Sequence, residues 1–164
     1  MTTARPCVCP SLDDLAVVPM GGEDLDQRVF ATVRSVRDHG RGLWWLHLCR
    51  CHSCGQHWMV AQEERVFDDY FLRRLGQKEA SAIIDADDWP DEFITYERVL
   101  RIGRQLSRPC GFYEDLPPTL VWVARDLHRD RPDITVEDVA YLTGTDLVTA
   151  GRLLVAGAGE DSGG

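Results

Sequence analysis

The stretch LWWLHLCRCHSCGQHWMV, residues 43–60, constrains this chain more tightly than any other part of it. Two apolar runs flank a turn that holds Cys51 and Cys54, two thiols separated by two residues. On the N-terminal side, Trp44, Leu46 and Leu48 alternate with Trp45, His47 and Cys49, the period of a strand over 43–51. On the other side, QHWMVAQ (56–62) reads as another strand. A strand–turn–strand junction with this spacing aims both sulfurs at one point, and backbone amides near the turn stabilise the thiolates. Gly55, directly after the second cysteine, relieves the backbone where the turn is tightest.

The run Cys51-His52-Ser53-Cys54-Gly55 resembles the C-x-x-C-G knuckle of the zinc-ribbon family. The resemblance implies a second cysteine pair completing a four-coordinate site, and Cys7 and Cys9 of PCVCP stand in that place. The implied ligand set is Cys7, Cys9, Cys51 and Cys54 around one structural Zn2+. The first pair departs from the family pattern, being C-x-C where C-x-x-C is usual. Cys49, His47, His52 and His57 are close enough in sequence for one of them to replace a ligand, and that alternative stays open here. The resemblance covers about residues 5–62 and implies no specific activity.

Two chemical readings of the thiols are weaker. A redox C-x-x-C opens a helix whose N-terminus lowers the first thiol's pKa, whereas a strand follows here. A catalytic zinc needs an open position, and neither H-E-x-x-H nor the deaminase signature H-x-E with P-C-x-x-C is present. Cys110 stands alone in a connector and reads as a free thiol.

Charge narrows the partners. The 164 residues carry 27 acids against 18 Lys and Arg, a net charge of −9, so nucleic acid and anionic membranes are poor partners and a basic protein surface a better one. No apolar run reaches the ~18 residues of a membrane span, and no secretion signal opens the chain, which leads to a cytoplasmic expectation. In a reducing compartment six cysteines serve as thiols or ligands rather than disulfides. The Arg-, Ala- and Asp-rich composition suggests a bacterial source.

The expected fold is α+β: a small antiparallel, zinc-stapled β-meander followed by a helical half. Residues 1–27, broken by Pro6, Pro10, Pro19 and Gly21-Gly22, read as irregular. RVFATVRSV (28–36) reads as the first strand of the meander. FDDYFLRRLG (67–76), with acids early and arginines late, reads as a helix. KEASAII is ambiguous, DADDWPDE (85–92) is a loop, and Asp91 is expected to cap the next helix. Three short helices follow, the second opened by Thr135 with Asp138 in capping-box spacing. The expected domains are a zinc-ribbon-like β region over 1–65, a helical region packed on it over 66–157, and a mobile tail over 158–164.

No catalytic motif emerges: there is no G-x-S-x-G, no Walker-type loop and no G-x-G-x-x-G. The expectation is a non-enzymatic, zinc-stabilised protein-binding factor, in its specific form an immunity- or antitoxin-like inhibitor of a basic protein. Its candidate contact surface is the acidic loop of Asp85, Asp87, Asp88, Asp91 and Glu92 around Trp89, although an aromatic there equally suits a loop pinned to the core. The alternative is a transcription-associated regulator, because residues 135–154 look like a helix-turn-helix. Its second helix, with Asp146 and the single base Arg152, is poorly furnished to read a major groove.

Overall fold

The computed structural model describes residues 6–39, 45–110 and 118–160. It is α+β, with the strands N-terminal and most of the helices C-terminal. Two compact units divide the chain: residues 1–64 with 69–94, and residues 65–68 with 95–164.

The first unit is built on a five-stranded antiparallel sheet. Its strands are β1 (Leu15–Pro19), β2 (Val33–Asp38), β3 (Leu46–Cys51), β4 (His57–Glu63) and β5 (Asp69–Leu75), in the order β1-β5-β4-β3-β2. The last four form a meander, and β1 joins it beyond β5 with Val17 opposite Phe71. Strand alternation gives the sheet two faces. One carries Cys49, Cys51, Trp58, Val60, Leu72 and Val33, and packs with Ala16, Val18, Cys9 and Val29 into a buried core. Helix α1 (Leu25–Phe30) and the N-terminal segment cover part of this face. Helix α2 (Gln77–Ala86) is tied to residues of the other face: Arg37 donates to the carbonyls of Ile83 and Ile84, and Arg73 to Glu79.

Several sequence expectations are corrected. Residues 67–76 are not helical: Asp69–Leu75 is strand β5, paired on both sides. Phe71 and Leu72 are adjacent and both fully buried because each sheet face is covered, so the run lacks the alternation that marks a one-sided strand. The spacing of Phe67, Tyr70 and Phe71 imitates a helical stripe by coincidence. Residues 1–27 are not all irregular either, since they contain β1, the start of α1 and a 3-10 turn at Cys9–Ser11. Pro19 ends β1, an edge strand, where a missing N–H costs little. The strand expected over 28–36 begins only at Val33, its first three residues closing α1. The ambiguous segment is helix α2, which extends to Ala86 and takes in Asp85.

The second unit holds α3 (Tyr96–Gln105), α4 (Pro118–Asp130), α5 (Val136–Thr143) and α6 (Leu147–Glu160). Asp91 opens a single 3-10 turn, and the cap of α3 is Thr95, whose hydroxyl accepts from the Arg98 N–H at 3.3 Å. Thr135 and Asp138 form the expected capping box on α5. Gly144 ends α5 with φ +68°, the left-handed conformation that favours glycine. A part-buried ion network joins α3 to α5, with Arg131 contacting Glu97 at 3.0 Å and Asp138 at 2.6 Å. No helix among the described residues is long and apolar enough to cross a membrane.

Candidate metal centre

Cys51 is the last residue of β3, and the chain turns there before re-entering the sheet at His57. The turn is closed by Gly55 N–H donating to the Cys51 carbonyl and Cys51 N–H donating to the Gln56 carbonyl, each at 2.8 Å. Gly55 sits at φ +81°, so the backbone conformation itself calls for glycine. A Cβ there would meet only the Arg50 guanidinium, at 3.6 Å. This geometry lifts Cys54 out of the sheet and turns it back toward Cys51.

The partner segment approaches from the N-terminus. Cys7 precedes the Cys9–Ser11 turn, in which Ser11 N–H donates to the Val8 carbonyl at 2.9 Å with Pro10 in the first helical turn. The four sulfurs of Cys7, Cys9, Cys51 and Cys54 lie within 4.8 Å of one another. A tetrahedral thiolate site with metal–sulfur bonds of ~2.3 Å has sulfur–sulfur edges of about 3.8 Å, so a slight contraction would close the set on an ion. Cys9 and Cys51 are buried, Cys7 is half-buried and Cys54 is exposed.

The electrostatics suit a cation. Burial raises the Cys51 thiol, but the Thr32 hydroxyl and the backbone N–H groups of Cys54 and Ser53 outweigh it and bring Cys51 down to about 6. Burial pushes Cys9 up to about 12, aided by the neighbouring Cys51 and Cys54 and opposed by the Trp58 indole N–H. Cys54 is also raised, first by burial. One thiolate is therefore favoured, and its charge discourages the next. A divalent ion removes that conflict by compensating all four at once.

Arg74 holds the two halves of the site together. From β5 it donates to the carbonyls of Cys9 at 2.9 Å and Leu12 at 2.8 Å, to Gln56 Oε1 at 3.1 Å, and to the Asp14 carboxylate at 2.9 Å. Its guanidinium also lies 4.4 Å over the Trp58 ring. The sequence offers no direct sign of this residue, because the helix expected over 67–76 sends Arg74 to a helix end instead.

The alternative ligands fall elsewhere. Cys49 is on the same sheet face as Cys51 but outside the cluster, buried opposite Ser35 and Trp58. His47 Nδ1 is bonded to Asp38, and His52 Nε2 is 3.3 Å from the Ala31 carbonyl. His57 is buried at the start of β4, its pKa lowered by burial and by Arg50.

The acidic loop does not assemble around an exposed aromatic. Trp89 is buried, donates to Asp87 Oδ1 at 2.8 Å and meets His39 edge-on at 4.8 Å. Asp87 also pairs with Arg37 at 3.3 Å, and Glu92 with Arg73 at 3.0 Å. Asp85, Asp88 and Asp91 are exposed. The loop is thus anchored by the residue that suggested a contact surface, and part of its charge is compensated within the chain.

No protein-family model matches the chain, and comparisons with curated proteins and with solved structures find no match.

Proposed function

We propose that Cys7, Cys9, Cys51 and Cys54 hold one structural Zn2+, and that the protein is a non-enzymatic binding factor whose fold depends on that ion. The four-sulfur cluster carries this reading. Thiolates select a soft or borderline ion, and a full set of four leaves no position for a substrate. The energetic role is large: structural zinc in small domains contributes about 10–16 kcal/mol at neutral pH, comparable to the ~5–15 kcal/mol total stability of a domain. The ion staples the N-terminal segment to the β3–β4 turn, adding to the Arg74 hydrogen bonds and to the packing of Val8, Cys9 and Leu12 on the core.

The partner in this reading is a basic protein. The charge of −9 supports it, as do the exposed Asp85, Asp88 and Asp91 beside the anchored Trp89. An inhibitor that covers a basic site, as bacterial immunity proteins and antitoxins do, is the specific form we favour. Affinity capture from the native lysate tests it: one stoichiometric basic protein without nucleic acid agrees, and an eluate dominated by DNA contradicts.

The second reading, a transcription-associated regulator, is favoured by one observation. Helices α5 and α6 are joined through Gly144 as in a helix-turn-helix, and α6 exposes Leu147 and Val148 at its start. Those side chains suit contact with a protein such as polymerase better than a phosphate backbone.

A further inference from the structure

The sheet face that bears the cysteines also carries an open cavity of about 390 Å3. That is within the ~300–1,000 Å3 range of small-molecule pockets. Val33, Cys49 and Val60 form its buried floor. Phe30 of α1 and Tyr70 of β5 form an aromatic wall, with ring centroids 4.6 Å apart and planes at 58°.

Its polar group is placed by an irregularity of the sheet. The register between β2 and β3 shifts between Ser35 and Arg37, so one residue is bulged. Without the bulge, Ser35 and Arg37 would share a face; with it, Ser35 and Asp38 do, and Arg37 turns to α2 on the other side. Asp38 Oδ1 is thereby brought to 2.6 Å from His47 Nδ1, and Ser35 Oγ donates to the same oxygen at 3.2 Å. The bond to His47 keeps the Asp38 carboxyl below its ordinary range. A carboxylate acceptor fixes the proton of the neutral imidazole on Nδ1 and leaves a lone pair on Nε2. His47 lines the cavity, and its Nε2 has no hydrogen-bond partner among the described residues.

Charge at the rim is mixed. Asp38 and Arg34 both border the cavity, and Asp26 and Glu64 act on Tyr70 from beside it, with burial raising the Tyr70 hydroxyl foremost. The acids oppose an anionic guest and Arg34 opposes a cationic one. An uncharged guest with one donor suits the free imidazole nitrogen. We propose that this cavity binds a small uncharged aromatic molecule bearing a hydroxyl, whose proton is accepted by His47 Nε2 while its ring lies against Phe30 and Tyr70. The site is separate from the four-cysteine cluster and does not rest on the zinc reading.

The test titrates the full chain, isotopically labelled, with p-cresol, toluene and benzoate while amide resonances are followed. Saturable shifts confined to residues 30, 33–38, 47–49, 60–62 and 70 are expected with p-cresol. Toluene, lacking the donor, should bind about tenfold more weakly, the size of one well-made hydrogen bond, and benzoate more weakly than p-cresol. His47→Phe keeps an aromatic ring, slightly larger, but removes the nitrogen acceptor, and should abolish the preference for p-cresol over toluene. Asp38→Asn, which removes the carboxylate that orients the imidazole, should reduce that preference and serves if the first variant fails to fold. Equal binding of p-cresol and toluene by the unmodified chain, shifts centred elsewhere, or no saturable shift with any probe overturns the proposal.

Discussion

At the scale of single residues, Arg74 is the clearest case of a side chain whose role depends on where the backbone puts it. One guanidinium satisfies two carbonyls of the N-terminal segment, a carboxylate and an amide oxygen, and covers Trp58. Arg74→Ala should destabilise the first unit by about 2–3 kcal/mol, since the carbonyls it serves are part-buried. Chelator-driven loss of zinc should also become faster than in the unmodified chain; an unchanged release rate would show that Arg74 does not hold the site. Gly55→Ala should cost about 1–2 kcal/mol through its left-handed φ rather than through any clash, as a denaturant midpoint would show. The knuckle residues were legible in the sequence because C-x-x-C-G is a local signal. Arg74 was not, because its partners lie 18 to 65 residues away.

At the scale of elements, legibility followed how far local pattern and tertiary context agree. Strands β3 and β4 and helices α4 to α6 follow their own periodicity and capping, and the sequence shows them. Strand β5 does not, because burial on both faces erases the alternation by which a strand is recognised. Helix α3 depends on a tight approach: a Cβ on Gly103 would lie 2.3 Å from the Phe67 ring. Gly103→Ala should therefore lower stability by about 1–3 kcal/mol despite the better helix propensity of alanine, and a thermal melt reads the sign. In α5, the Arg131 guanidinium and the capping-box hydrogen bonds hold the Asp138 carboxyl at about 2. Its folded pKa lies below the unfolded one, so its stabilisation is present above the ordinary carboxylate range and is lost as pH falls through about 2. After allowance for solvent screening this amounts to about 1 kcal/mol. Asp138→Asn should remove it near neutral pH and flatten the acid limb of the stability curve.

At the scale of the whole molecule, the two compact units should respond differently to loss of the metal. All four candidate ligands belong to the first unit, and the second is held by helix packing and the Glu97, Arg101, Arg131 and Asp138 network. Hydrogen exchange after zinc extraction should show β1 to β5 losing protection while α3 to α6 keep theirs; uniform loss would contradict a local role for the ion. The α+β class was legible because the strand signals cluster early and the caps late. The bulge that turns Asp38 toward His47 was not, because register between distant strands leaves no mark in either one alone.

The central claim is that four particular sulfurs hold one zinc ion, and native mass spectrometry of the purified chain tests it most directly. One zinc per chain is expected in the unmodified protein and in Cys49→Ser, with loss or marked weakening in Cys51→Ser and Cys54→Ser. A metal-free chain after purification with zinc present, or zinc retained in Cys54→Ser and lost in Cys49→Ser, would contradict it.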